Sequence, residues 1–151
     1  MNSKTIVSFL AASVTTMLMF SGCGSVPSDK VTLTKEEILL QPDVKGHPPV
    51  VFAKNLDEVR QAALRALNFV GCEVKAQQPL FLYGTRPRKF GLFVGSGGET
   101  VKVFLYPQSD NETHVWVDTD LTFVGMAGQQ GWNKQVIEQM TQLLNPATTT
   151  K

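Results

Sequence analysis

The side chains best suited to chemistry lie on one stretch of the chain. His114, Asp118 and Asp120 fall on the same face of a strand predicted over 113–124, and an imidazole beside carboxylates can act in acid–base catalysis or bind a metal ion. However, positions 114 and 120 are ~20 Å apart at ~3.3 Å per residue, so only the neighbours Asp118 and Asp120 could share one ion. The pattern therefore favours a solvated strand face, and we predict no metal site and no catalytic residues.

Two further patterns resemble enzyme motifs but depart from them at the residues that matter. The glycine-rich segment 91–98 lacks the Lys-Ser/Thr pair of a phosphate-binding loop, and Thr100 stands where the dinucleotide fingerprint has its third glycine. This segment also leads into a predicted strand, not into a helix N-terminus that could hold an anion. Ser96 directly follows Gly95, so the spacing of a nucleophile elbow is absent. The sequence therefore predicts neither a cofactor nor an enzymatic activity.

Candidate binding residues form two groups. The basic cluster at 86–89 could contact lipid phosphates or an acidic partner through Arg86, Arg88 and Lys89. The second group consists of large aromatic side chains on the strand face opposite to the predicted core: Phe104, Tyr106 and Trp116. If water reaches this face, they form an apolar patch of the kind that marks an interaction site, whereas a covering helix would make them part of a core. The sequence leaves both options open.

The charge balance argues against nucleic acid as a partner. The chain of 151 residues has a formal net charge of +1. Lys4 is the only charged residue among the first 22, so the remainder carries 13 of the 14 basic side chains against 13 acidic ones. Nucleic-acid-binding domains usually show a clear basic excess. We therefore predict that the chain binds no nucleic acid, and its length suits one domain with extensions.

Helical periodicity marks two amphipathic helices. Asn55 is a predicted N-cap with Glu58 three residues later, and apolar residues then recur at spacings of three and four up to Val70. Gly71 supplies a left-handed stop after this helix. A second apolar stripe begins near Trp132 and predicts the last helix of the chain.

Alternating apolar residues predict strands at 50–52, 72–76, 80–83, 100–106 and 113–124. Such one-sided alternation is typical of an antiparallel sheet with one face toward a core. The sequence therefore predicts an α+β fold with the element order β-α-β-β-β-β-α. In this fold, two helices pack on one face of an antiparallel four- to five-stranded sheet.

The N-terminal residues have the pattern of an export signal, and the last four residues of this pattern resemble a known motif. After Lys4, residues 5–20 contain no charge, and this run is too short and too rich in Ser and Thr for a membrane span. It ends in the tetrapeptide Phe-Ser-Gly-Cys at 20–23, which resembles the lipobox of bacterial lipoproteins, although that family usually has Leu where Phe20 stands. The resemblance implies cleavage after residue 22, lipidation of Cys23 and, because Gly24 follows, an outer-membrane location.

We divide the chain into a signal peptide (1–22), a lipidated N-terminus with a flexible tether (23–48), an α+β domain (49–145) and a disordered tail (146–151). Within the tether, Thr34 and Glu37 form a capping-box pattern. It predicts one helical turn that is too short to be stable alone but could pack on the domain. Because an alkylated Cys23 cannot form a disulfide, we expect Cys72 to be a buried free thiol.

The predicted architecture over about 49–145 is similar to the helix-grip modules of lipoprotein subunits in the β-barrel assembly machinery. This similarity implies a non-catalytic accessory protein, attached to the outer membrane through Cys23 and facing the periplasm, that binds a partner protein of the envelope. Two alternatives stay open. One is a periplasmic enzyme that uses the face of His114, Asp118 and Asp120, and the other is a purely structural envelope lipoprotein.

Overall fold

A five-stranded antiparallel sheet organises the fold. The computed structural model describes residues 32–90, 95–121 and 130–145. The main sheet has the order β1-β7-β6-β3-β2, and β4 and β5 form a separate two-stranded sheet. The strands, in chain order, are β1 (Val50–Phe52), β2 (Glu73–Gln77), β3 (Phe81–Thr85), β4 (Lys89–Phe90), β5 (Gly95–Ser96), β6 (Thr100–Ser109) and β7 (Glu112–Asp120).

The helix α2 (Leu56–Phe69) follows from local signals. The side-chain oxygen of Asn55 accepts a hydrogen bond from the backbone N–H of Glu58 at 2.9 Å, which satisfies one of the free donors of the first turn. The chain leaves the helix through Gly71, whose φ of +79° favours glycine because it has no Cβ. The helix predicted between Asn55 and Gly71 is thus confirmed.

The helices α2 and α3 (Asn133–Leu144) pack against each other on one face of the main sheet. In this core they contact fully buried strand residues that alternate along β6 and β7: Val101, Val103, Leu105 and Val115. Leu67 of α2 and Met140 of α3 are also fully buried there. The predicted α+β fold with two helices on one face of an antiparallel sheet is confirmed.

Cys72 lies in the same core between α2 and β2. It is a free thiol and only 5% exposed, as the sequence predicted. Desolvation of the thiolate raises the pKa of Cys72 to about 11. The charge of Arg86 lowers this pKa and the charge of Glu99 raises it, and both effects are smaller than that of desolvation. The thiol is therefore protonated and unreactive at neutral pH.

The second face of the sheet is covered by residues 32–48, which we call the strap. Its short helix α1 (Lys35–Leu40) begins with a complete capping box between Thr34 and Glu37. Three apolar residues of the strap, Leu33, Ile38 and Val44, are buried against aromatic residues of the sheet: Phe81, Phe104 and Trp116. The structure thus differs from the predicted flexible tether at 23–48, because the folded unit begins before residue 49.

The predicted strand at 113–124 is shorter in the structure. Asp120 pairs with Thr100, the first residue of β6, so β7 has no further partner on that strand. Leu121, an apolar residue within the predicted strand, is 50% exposed. Residues 122–129, the predicted tail at 146–151 and the predicted signal peptide with Cys23 lie outside the described residues. Among the described helices, none is long and apolar enough to cross a membrane.

Ile38→Ala tests whether the strap belongs to the folded domain. Ile38 is fully buried, so its truncation should lower the free energy of unfolding by about 2–4 kcal/mol. Leu40, in the same helix, is 70% exposed, and Leu40→Ala should change this free energy by less than about 0.5 kcal/mol. Urea unfolding monitored by circular dichroism measures both. Equal, negligible effects of the two substitutions would show that the strap does not pack on the sheet.

Candidate binding cleft at the open edge of the sheet

Strand β7 is only partly paired on its outer edge. Its inner edge pairs with β6 over the whole length from Glu112 to Asp120, whereas β1 pairs with residues 113–115 alone. Pro48 and Pro49 precede β1, and proline has no N–H to donate to a ladder. Within the described part of the chain, residues 116–120 of β7 therefore have no strand on their outer side.

A cleft of about 520 Å³ runs along this edge. Its floor is formed by Val50 and by residues 115–118 of β7. One wall belongs to the strap and the other to the first turns of α3: Pro42, Asp43, His47 and Pro48 on the strap side, and Asn133, Lys134, Ile137 and Glu138 on the helix side. The open edge of β7 thus lies between the strap, which covers one face of the sheet, and α3, which covers the other.

The helix wall is positioned by the end of β7. Thr119 Oγ1 accepts a hydrogen bond from the backbone N–H of Trp132 at 3.0 Å and donates one to Asn133 Oδ1 at 2.6 Å. These bonds join the N-terminus of α3 to the strand. Val117 and Ile137 pack at the edge of the helical core and give the helix side of the cleft an apolar part, beside the ion pair of Lys134 and Glu138.

The strap wall is held by polar contacts from the sheet. Trp116 Nε1 donates a hydrogen bond to the backbone carbonyl of His47 at 2.8 Å, and Asp43 forms an ion pair with Lys102 at 2.8 Å. At the other end of the strap, the backbone N–H of Leu33 donates to Gln78 Oε1 at 3.1 Å. Each contact joins residues that are at least 45 positions apart in the chain.

Lys102 is the centre of an acidic cluster on the strap side. Its side chain is only 3% exposed, and its Nζ lies 2.8 Å from Asp43, 2.7 Å from Asp120 and 4.0 Å from Asp118. One ammonium group is therefore shared by three carboxylates. This cluster has a net charge of −2 when all four groups are ionised, and Asp43 and Asp118 line the cleft.

The pKa shifts of Lys102 and Asp118 indicate that the negative charge of Asp118 is poorly compensated. Burial of the ammonium lowers the pKa of Lys102, but hydrogen bonds and charges from Asp120 and Asp43 outweigh it, and the pKa is raised overall. The pKa of Asp118 is raised by desolvation and by the charge of Asp43, and the more distant Lys102 only partly opposes this. Ionised Asp118 thus costs folding free energy at neutral pH, and protonation as the pH falls favours the folded state.

The structure does not assemble a catalytic group around His114. Its Nε2 lies 3.0 Å from Glu112 Oε1, two residues away on the same strand. Asp118 and Asp120 instead face Lys102. Among the described residues there is no group of three or more His, Cys, Asp or Glu side chains that could hold a metal ion.

The predicted aromatic patch is covered by the strap. Phe104 is fully buried and Trp116 is 7% exposed, so of the two options that the sequence left open, these two residues follow the covered one and form no open patch. Tyr106 is half-buried, with Lys35 Nζ 4.8 Å from the centre of its ring. The covering option holds because the strap supplies the apolar partners that the aromatic face needs.

The basic cluster at 86–89 does not act as one surface. Arg86 Nε donates to the carbonyl of Val70 at 2.8 Å, and its guanidinium lies 4.0 Å from the ring centre of Trp132. It also pairs at 3.4 Å with Glu99, which is completely buried. Arg86 is therefore engaged within the fold, whereas Arg88 is exposed. The side chain of Lys89 lies outside the described residues.

No protein-family model matches the chain, and no curated protein shows significant similarity to it. The cleft was not predicted from the sequence. The one local signal that could have indicated it is the Pro48-Pro49 pair before a strand of three residues, which limits how much of β7 that strand can cover.

Lys102→Met tests the cluster that holds the strap. Removing the only ammonium leaves three carboxylates near one another, so the free energy of unfolding at pH 7 should fall by about 3 kcal/mol. Protonation of Asp118, whose pKa is raised by burial and by the charge of Asp43, relieves part of this repulsion, so the deficit should shrink as the pH falls from 7 toward 4. Urea unfolding across this pH range measures it.

Lys75→Met is the matched control, because Lys75 pairs with Glu73 at 2.7 Å but both side chains are largely exposed. Its effect should stay below about 1 kcal/mol and change little with pH. A Lys102→Met deficit no larger than that of the control would contradict the role assigned to the cluster.

Proposed function

We propose that this chain is a lipid-anchored protein of the outer membrane that faces the periplasm and binds a partner protein without catalysing a reaction. The observation that carries the binding role is the outer edge of β7 beyond residue 115, which no described strand pairs with and which lies in a cleft of about 520 Å³. A strand edge offers backbone hydrogen bonds, and the apolar residues of the floor, together with Ile137 of the helix wall, offer area to bury. Together these are the features of a peptide-binding groove.

The lipid anchor rests on the residues at 20–23. Leu33 is the first buried residue in the part of the chain that the structure describes, and ten peptide units connect it to Cys23. At ~3.3–3.6 Å per residue, this connection spans at most about 35 Å. Because the strap is part of the fold, the domain would be held closer to the bilayer than a tether extending to residue 48 would allow.

Binding accounts for the site better than catalysis does. His114, the residue on which the enzymatic alternative depends, has Glu112 as its acidic neighbour and does not line the cleft. Of the three carboxylates that do line it, Asp43 and Asp118 are arranged around Lys102, which also holds the strap. The cleft thus combines an apolar surface with fixed negative charge, which favours recognition of a segment with complementary charge.

Cys23→Ser tests the anchor. The wild-type protein should fractionate with outer membranes and have the mass of a chain that begins at Cys23 and carries diacylglyceryl and N-acyl groups. Cys23→Ser should lose this mass increment and leave the membrane fraction, whereas Cys72→Ser should retain both. Mass spectrometry of the purified protein distinguishes these cases. A wild-type protein without fatty acid would remove the basis for an envelope location.

A photo-crosslinking amino acid tests the binding role. Lys134 lines the cleft and its side chain is 84% exposed, whereas Phe69 is an exposed position on α2 outside the cleft lining. In intact cells, benzoylphenylalanine at position 134 should crosslink a defined envelope protein, and the same group at position 69 should not. Adding Ile137→Glu should abolish this crosslink because it replaces the apolar side chain of the helix wall by a charged one.

Equal crosslinking from positions 134 and 69, or none from either, would contradict binding in the cleft. The absence of any crosslink would favour a purely structural lipoprotein. Thermal unfolding of the Ile137→Glu variant provides the necessary check that the substitution leaves the domain folded.

A further inference from the structure

We propose that the cleft binds an extended segment of its partner as an additional strand beside β7, with basic side chains toward the strap and apolar side chains toward α3. This inference rests on the proposed binding function and adds the chemistry of the partner to it. Three features of the cleft support it: the backbone edge, the difference between its two walls, and the excess of carboxylates.

The backbone edge has the length that strand addition needs. Residues 116–120 of β7 lie beyond the last residue paired with β1 and extend over ~17 Å at ~3.4 Å per residue. Alternate residues of a strand direct their N–H and C=O groups to the same edge, so this stretch presents donors and acceptors outward. Open edges of this kind template pairing with another chain. The neighbouring β1 already shows that this edge of β7 accepts an antiparallel partner.

The two walls select different side chains. A segment paired with β7 would direct its side chains alternately to the two faces of the sheet. On the helix side these side chains meet the apolar Val117 and Ile137, beside which Lys134 and Glu138 neutralise each other as an ion pair. On the strap side they meet Asp43 and Asp118. A segment that alternates apolar and basic residues therefore fits both walls at once.

The charge of the lining favours a cationic partner. The ionisable side chains that line the cleft are Asp43, His47, Asp118, Lys134 and Glu138. With His47 neutral they sum to −2, and Lys134 lies 3.6 Å from Glu138, on the helix side. On the strap side, Lys102 is shared by three carboxylates, and Asp118 is the most distant of them at 4.0 Å. An added ammonium or guanidinium near Asp118 would supply the missing positive charge.

A second copy of this chain is a poorer occupant of the cleft. Pairing the β7 edges of two copies would bring together two clusters that each have a net charge of −2. Like charges across an interface oppose association. The opposite edge of the sheet, β2, exposes Glu73 and Lys75, and such charged side chains protect an edge strand from pairing. These charges favour a segment of a different protein.

Synthetic peptides test this inference on the mature lipidated chain in non-ionic detergent. One fluorescent peptide alternates valine and lysine, a second alternates valine and glutamate, and a third is the lysine peptide with alternate backbone nitrogens methylated. Fluorescence anisotropy should show saturable binding of the lysine peptide below about 1 mM and at least about tenfold weaker binding of the other two. Backbone methylation removes donors that strand addition uses and leaves the side chains unchanged.

Two protein variants identify the site. Asp118→Asn should weaken binding of the lysine peptide by about tenfold, because a charge-assisted contact is lost, and it should leave thermal stability intact. Asp57→Asn, on the exposed first turn of α2, is the matched control and should leave binding unchanged. Equal binding of the lysine and glutamate peptides, or of the methylated peptide, would overturn the inference, as would the absence of any binding. A dimer detected by sedimentation and abolished by Ile137→Glu would also overturn it.

The outcomes also separate this inference from the proposed function. If position 134 crosslinks an envelope protein but the peptides do not discriminate, the partner binds in the cleft by another mode and only the strand-addition inference fails. If position 134 yields no crosslink, the binding function itself fails.

Discussion

The second apolar face of the main sheet has to be shielded from water, and much of the structure depends on how this is done. The helices α2 and α3 cover one face. On the other face, Phe81, Phe104 and Trp116 are covered by the strap, whose own apolar residues could not form a core alone. The strap is both one wall of the cleft and the cover of this core, so the cleft exists only when the second core is formed.

Lys102 links stability to the charge of the site. A buried ammonium is tolerated only when carboxylates compensate it, and Asp43 and Asp120 do so at 2.8 and 2.7 Å. Asp43 belongs to the strap, so this ion pair also attaches the strap to the sheet. The third carboxylate, Asp118, is left without a close cation and faces the cleft. The arrangement that holds the fold together thus leaves negative charge where a partner segment would lie.

Much of the fold could be predicted from neighbouring residues. The N-cap at Asn55, the apolar stripe of α2 and the glycine at position 71 act within one or two turns of a helix, and the structure has them as expected. The alternation along β6 correctly separated Val103 from Phe104. The strap was assigned to a tether because a helix of six residues is too short for periodicity to reveal its buried side. The candidate site was predicted only in part. The sequence named aromatic residues that are mostly buried in the structure, and it did not predict the cleft.

The sequence by itself determined the helices, the strand faces and the resemblance of the residues up to Cys23 to a lipobox. Each of these is encoded by residues that lie close together in the chain. Only the tertiary structure decided which segment covers the second face and where β7 stays open. Asp43 and Lys102 are 59 positions apart, and His47 and Trp116 are 69 positions apart. Local patterns carry no information about such pairs, because the strap is held by the sheet it contacts and not by its own periodicity.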